Sequence, residues 1–442
     1  MTLERARLGL LAALAATIPV SIFASQLLLA LSLVVLAARI LTGRASFPRT
    51  PLDAPLLALV VWTLLAASFA AEPRVAHEEA KKLVLFALFY VAVEALVAEE
   101  DRRRVLAAAL LGGLALAGFM VLQRHALGFG GLARRPPGFL GHYMSASGVT
   151  MAVLLLAVAR LATGPRARLR PIDLWLPLGV FAAVSVVALA MARGHGVLAT
   201  RLFVGALATA AFLLALSGSA RARAAEAALP FAVVPVAAWA LVVSQTRSAW
   251  VGAAAGLLAL ALLALLRAPR WVWAVAATGA AVLLIVPGGV RSRLTVQDES
   301  SRDRYYMWQA GLDMVLERPV FGQGPGMVEV VYPRYRWPEA PNPRQPHLHN
   351  NVLQIAAERG LPGLVFFLWW VATAFLAALR EAQRAAAAGR GPGWAAAGAL
   401  AALAAVFVAG LFEYNLGDSE VLMLVLLLTA VPFATNGARA SA

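Results

Sequence analysis

The chain has 442 residues, of which 61% are hydrophobic and 14% charged, with a mean hydropathy of +0.76 and a formal net charge of +15. This excludes an ordinary soluble domain, whose interior could not hide repeated apolar runs of about 16–20 residues. With no cysteine in the chain, disulfides, thiolate metal ligands and thiolate nucleophiles are excluded as well.

Runs of that length cross a bilayer as helices, because a helix satisfies its own backbone hydrogen bonds where there is no water. In a soluble protein the positive charge would suggest nucleic acid. Here it is better explained by basic cytoplasmic loops together with an anionic ligand. The N-terminal MTLERARLGL has a positive flank, but the apolar sequence runs on past one span, so it reads as a first membrane helix and not a cleaved signal.

In chain order the candidate spans are 8–22, 24–41, 54–71, 83–98, 105–122, 142–161, 173–191, 200–217, 228–243, 249–267 and 271–286, then 363–380, 391–411 and 418–435. Short or re-entrant segments reduce the count of true crossings to between 12 and 14. With simple alternation, the basic loops at 44–49, 99–104, 164–170, 221–223, 267–270 and 380–390 share one side, which the Lys/Arg rule makes cytoplasmic, with both termini. Segments 72–82, 123–141, 192–196, 244–248, 287–350 and 412–418 fall on the other side; Lys81 and Lys82, the only lysines, lie there against the bias. Gly- and Ala-rich spans such as ALLGGLALAG predict close helix packing. No phosphate-binding glycine motif is present, so the chain carries no ATP motor of its own.

The polar stretch Pro287–Asn350 interrupts this apolar chain and predicts the functional region. Arginines recur beside Gly or Ser on the same expected face: Arg134 and Arg135 before GHYMSASG, Arg193 in MARGHG, Arg247 in TRSAWVG, and Arg302 and Arg304 in ESSRDRYYMWQAG. Each alone reads as an interfacial side chain, but as a group they suit an anionic ligand, since a planar guanidinium binds phosphate through two hydrogen bonds. Arg193 and Arg247 sit tightest between apolar runs, where an unpaired charge is costly. Arg304 and Trp308 are four residues apart on a predicted helix that lies on or over the membrane. Tyr305, Trp308 and the aromatics of YPRYRWPEA suit sugar stacking or an interfacial belt. His347 and His349 follow a rigid PRQP and precede a predicted helix from Asn350 to Arg359, closed by Gly360 and Pro362. A neutral histidine there could take a proton from a sugar hydroxyl, beside backbone N–H groups that favour phosphate. As zinc ligands the pair is weak, lacking clustered carboxylates in sequence. In LFEYNLGDSE, residues Glu413, Asn415 and Asp418 are candidates to pair with arginines or touch an acceptor.

The order of these motifs, above all RPVFGQGPG and HNNVLQIAAERGLPG, resembles the O-antigen ligase and polymerase superfamily over nearly the whole chain. The resemblance implies an all-α polytopic membrane protein, a glycosyltransferase of the GT-C type with about 12 (12–14) transmembrane helices and one large periplasmic loop. Its expected parts are an N-terminal bundle over 1–286, the loop with its catalytic motif over 287–361, and C-terminal membrane helices over 362–442. The implied reaction is inverting and metal-independent, with no cofactor. It moves a glycan from undecaprenyl diphosphate to a sugar hydroxyl of lipid A–core on the periplasmic face of the inner membrane. Its activating histidine corresponds to His349 and its phosphate-contacting arginines to Arg193 and Arg247, with Arg135 in the N-terminal motif. Arg304, Tyr305, His347, Trp308 and Asn350 would contact substrate. His142 and Tyr143 stand where the family's commoner motif has other residues. Rival readings are an O-antigen or exopolysaccharide polymerase, a protein O-oligosaccharyltransferase and, from another class, a secondary transporter or flippase. A transporter would place charges at mid-membrane on broken helices, whereas here they gather at one face beside a large loop.

Overall fold

The computed structural model of the chain describes residues 2–165, 169–265, 299–388 and 393–437. The candidate span 271–286 and the start of the polar stretch, 287–298, lie outside the described residues. Regular structure among the described residues is helical.

The helices are α1 (Leu3–Thr17), α2 (Ile22–Leu41), α3 (Asp53–Ser68), α4 (Pro73–Ala80), α5 (Ala87–Ala95), α6 (Glu99–His125), α7 (Tyr143–Thr163), α8 (Trp175–Ala192), α9 (Gly196–Leu216), α10 (Ala220–Ser244) and α11 (Arg247–Leu265). After the polar stretch begins come α12 (Glu299–Glu317), α13 (Val328–Tyr335), α14 (Asn351–Ala387), α15 (Trp394–Ala409) and α16 (Ser419–Gly437). Among the described residues, seven helices are long and apolar enough to cross a membrane, and four shorter apolar ones accompany them. Together they make a polytopic membrane protein.

A turn at Pro19–Ser21 separates α1 from α2, and the Ser21 hydroxyl accepts from the Ala24 N–H to start α2. The expected span 83–98 is instead a 3-10 turn at Lys81–Phe86 followed by α5. Helix α6 runs through the middle of the bundle, whereas α2, α8 and α9 keep large apolar side chains such as Phe23, Val34, Leu178, Val186 and Leu202 exposed. In water such a perimeter would be a severe liability; against lipid tails it carries no penalty. Small residues let helices touch as the composition predicted. A Cβ on Gly112 would stand 2.1 Å from the Ala16 carbonyl oxygen, and one on Gly252 would stand 2.6 Å from that of Ala405.

The expected loop 267–270 lies outside the described residues, but part of the expected grouping of basic loops is visible at one end of the bundle. There Arg39 is held by Glu94 at 2.9 Å and by Glu4, Arg7 pairs with Asp101 at 3.4 Å, and Arg103 pairs with Glu226 at 2.8 Å. The buried Arg39 thus has carboxylate partners that offset part of the cost of burying it, while Arg102 and Arg160 at the same end donate to backbone carbonyls of Leu96, Val97 and Pro165.

At the opposite end lies the most specific piece of chain geometry. Helix α14 does not stop at Gly360, as the sequence suggested; it breaks there (φ 67°, ψ −178°) and resumes at once. A break leaves helix carbonyls and an N–H without partners, and the RPVFGQGPG segment supplies both kinds. The Gln323 N–H donates to the Ala357 carbonyl at 2.8 Å, Gly324 N–H to Glu358 at 2.9 Å, and Leu361 N–H to Pro319 at 2.7 Å. Phe321 extends the strap by stacking between Trp62 and Phe69, at 5.2 and 4.2 Å between ring centroids. The two motifs that stood out in the sequence are therefore one structural unit.

Gly360 tests that unit. A Cβ there would stand 2.0 Å from the Val320 carbonyl oxygen, at a φ that side chains rarely adopt. Gly43 shares the conformation (φ +69°) but has nothing within 4 Å. Gly360→Ala is expected to cost more than the ~1–3 kcal/mol of backbone strain alone, and Gly43→Ala no more than that strain. Thermal midpoints of both variants in detergent would check this; equal losses would show that the strap contact contributes nothing.

Candidate active site

The site is built where the polar stretch runs into α14. Asn350 caps that helix, its Oδ1 accepting from the Leu353 N–H at 3.0 Å while its Nδ2 donates to the Leu411 carbonyl at 3.0 Å. Asn351 continues the stitching: its N–H donates to the Gly410 carbonyl at 2.6 Å and its Nδ2 to Asn415 Oδ1 at 2.8 Å. The loop before α16 is thereby fastened to the start of α14.

His349, one residue before the cap, has φ +49°. A left-handed backbone is unfavourable for a residue with a Cβ and persists only where surroundings enforce it. The enforcing contacts are named. The Leu348 N–H donates to Gln354 Oε1 at 2.7 Å, and Trp308 Nε1 donates to the Leu348 carbonyl at 3.1 Å. Gln354 is in turn fixed by donating from Nε2 to Glu358 Oε1 at 2.8 Å. Glu358 also accepts from the Gly326 N–H at 2.9 Å and from Arg359 Nη1 at 2.8 Å. Arg359 Nε reaches Thr63 at 3.2 Å and its carbonyl accepts from Trp62 Nε1 at 2.8 Å, which ties the network to α3.

That geometry turns the His349 ring onto Glu413. Nδ1 lies 3.0 Å from both carboxylate oxygens, and the side chains are only 15% and 7% exposed. Burial opposes ionisation of Glu413, but the hydrogen bond from His349, with His347 and the Arg304 charge close by, outweighs it and holds its pKa below the usual range. An ionised carboxylate only accepts, so in the neutral form of the His349 ring the single proton sits on Nδ1 and the Nε2 lone pair is free. This is the arrangement in which a carboxylate orients a histidine for general base work.

His347 stands beside it, with ring centroids 4.3 Å apart. Burial, reinforced by the neighbouring His349, pushes its pKa down to about 4, so it is neutral at pH 7. Its Nδ1 is buried without a hydrogen-bond partner. Beside it opens a cavity of about 400 Å³. Polar groups from Glu79, Lys82, Glu329, His347, Gln354, Tyr414 and Asp418 line it, with an apolar floor that includes Phe86, Phe367 and Trp370. His347, His349 and Glu413 offer three ligand atoms within 4.8 Å of one another, a set that could hold a metal ion.

The sequence-predicted residues fall into three groups. His347, His349, Asn350, Trp308 and Arg304 come together: Arg304 lies near enough for its charge to act on both His347 and Glu413. Trp308 and Asn350 have their polar atoms committed to Leu348, Leu353 and Leu411, so they brace the histidine as well as border it. Arg135 and Arg247 border the same end through α7. Arg135 stacks over Tyr143 at 4.3 Å, Ser145 donates to Asp418 at 2.7 Å, and Ser147 shares a 3.0 Å hydrogen bond with Thr246, the neighbour of Arg247. Gln245, just before that pair, is left-handed like His349 (φ 51°). Arg193 and Tyr305 are not drawn in: Arg193 is exposed at the end of α8, and Tyr305 is exposed with its ring edge against Tyr306.

Glu413 as the partner of His349, and the buried trio Asn351, Gln354 and Glu358, were missed by sequence reasoning. The trio carries a readable signal, polar residues at helical spacing on an otherwise apolar face. The Glu413 pairing spans 64 positions and leaves no local trace.

No match is found among curated proteins. The family model described as O-antigen ligase matches residues 231–368, a segment that includes Arg247, Arg304, the strap, His347, His349 and the first part of α14. Over that segment the chain is similar to the O-antigen ligase family.

Proposed function

We propose that this protein is an O-antigen ligase of the WaaL type. It moves O-antigen polysaccharide from undecaprenyl diphosphate to a sugar hydroxyl of lipid A–core, at the periplasmic face of the bacterial inner membrane. The fold would be of the GT-C type with 12–14 crossings, both termini being cytoplasmic. The observation that carries the reading is the His349–Glu413 pair, placed at a helix start beside a polar cavity and arginines.

The chemistry follows from the atoms. The acceptor hydroxyl oxygen attacks C1 of the donor sugar as the bond from C1 to the phosphate oxygen breaks, which inverts C1. The hydroxyl proton passes to His349 Nε2, and Nδ1–H stays on Glu413, which stabilises the imidazolium that forms. The leaving diphosphate gains negative charge, and Arg247, Arg135 and Arg304 are the nearby cations to stabilise it, with Arg193 assigned the same role by resemblance alone. The donor bond is already activated, so no ATP, metal or other cofactor enters. The cavity beside His347 would receive sugar, since carboxylates on its rim disfavour a diphosphate there.

Polymerase action with the same donor is separated from ligase action by the lipopolysaccharide of a deletion strain. Core devoid of O-antigen is expected; core capped by one repeat unit would identify a polymerase instead.

With both lipid substrates in membranes, His349→Ala is expected to abolish transfer while a chelator leaves the parent rate unchanged. An active His349→Ala, or strong chelator inhibition of the purified protein, would overturn the mechanism. Glu413→Gln keeps the shape but no longer forces the proton onto Nδ1. The expected loss in kcat is about 10²–10⁴-fold, with KM for donor little changed; a loss confined to KM would make Glu413 a binding residue.

A further inference from the structure

The buried, unpartnered Nδ1 of His347 is unexplained by the transfer chemistry, which uses the other histidine. It points to a ligand class. His347, His349 and Glu413 present two imidazoles and a carboxylate, with their ligating atoms within 4.8 Å of one another. Tetrahedral zinc(II) takes ligands at about 2.0–2.2 Å, which sets them about 3.3 Å apart. His349 Nδ1 and the two Glu413 oxygens are already 3.0 Å apart. Only His347 must move, and a ring turn costs it no hydrogen bond at Nδ1.

We infer that His347, His349 and Glu413 form a zinc(II) site whose occupation shuts the enzyme down. The reason is the ring proton. In the zinc-free pair Nδ1–H faces Glu413 and Nε2 is the bare nitrogen that accepts from the acceptor hydroxyl. Zinc on Nδ1 takes that lone pair, and a neutral imidazole then carries its single proton on Nε2. The nitrogen that must accept becomes a donor, and Glu413, now a metal ligand, no longer steadies a developing imidazolium. No proton is released overall; it moves from one ring nitrogen to the other. Magnesium, which prefers six oxygen ligands, does not fit this set.

Zinc blocks transfer only if His349 is the base, as proposed above, whereas its binding depends on the three side chains alone. The two are therefore measured separately. Zinc(II) alone is titrated into purified full-length protein against a chromophoric chelator, with no substrate present. One equivalent is expected to bind to the parent and to His77→Ala, and to weaken at least tenfold in His347→Asn, whose folding is checked by its thermal midpoint. In the transfer assay zinc is expected to inhibit the parent, with full recovery on chelation and no effect of magnesium. The inhibiting concentration should rise at least tenfold in His347→Asn, each variant being scored against its own zinc-free rate. Equal zinc affinity in parent and His347→Asn overturns the site, as does stimulation of transfer by zinc. If the protein shows no transfer at all, the functional reading fails while the binding titration still decides the site. Should His347→Asn not fold, Glu413→Gln replaces it in both measurements with the same expected outcomes.

Discussion

The left-handed backbone of His349 is the constraint on which the rest of the site depends. A histidine at φ +49° is held against its own preference, and a chain of buried polar groups holds it. Gln354 grips the preceding N–H, Trp308 the preceding carbonyl, and Asn350 caps the helix that follows. Released from any of these, the residue would relax to an ordinary conformation and its ring would swing off Glu413. Strain at this position is therefore a means of aiming one imidazole, and preorganisation of that kind is what general base catalysis demands.

The same network joins the polar stretch to the membrane bundle. Glu358 and Arg359 sit at the break in α14, where a helix interior would normally offer no free carbonyls. Gly360 opens the helix, the strap from Pro319 to Gly324 fills the opening, and Thr63 and Trp62 bring α3 to the same point. A buried ion pair is worth little by itself, but one whose lone pairs are all used fixes geometry. Here the fixed object is the register between an aqueous segment and a lipid-embedded helix.

Much of this was legible in the sequence, for physical reasons that differ from part to part. Apolar run lengths reveal helices because lipid permits little else, and the turn at Ser21 and the cap at Asn350 follow local rules that a few residues encode. Gly360 was rightly marked as special, but local rules cannot tell a helix end from a break that another segment repairs. The strap that repairs it lies some 40 residues earlier in the chain. The importance of RPVFGQGPG and of HNNVLQIAAERGLPG was visible; that they form one unit was not. Arg193 shows the opposite case. Its position between apolar runs drew attention, yet it is exposed at a helix end and joins no part of the described cluster. Glu413 could be named as a polar residue on the correct face but not as the partner of His349, since pairing across 64 positions is settled by tertiary packing.

The central claim is that His349 and Glu413 act as one catalytic unit on a glycan acceptor, and a double-mutant cycle on transfer by the purified protein measures it most directly. Residues that work only through each other give non-additive losses. The account predicts that His349→Ala combined with Glu413→Gln is no slower than His349→Ala alone. Losses that add in free energy would mean that the two residues serve separate purposes, and would contradict it.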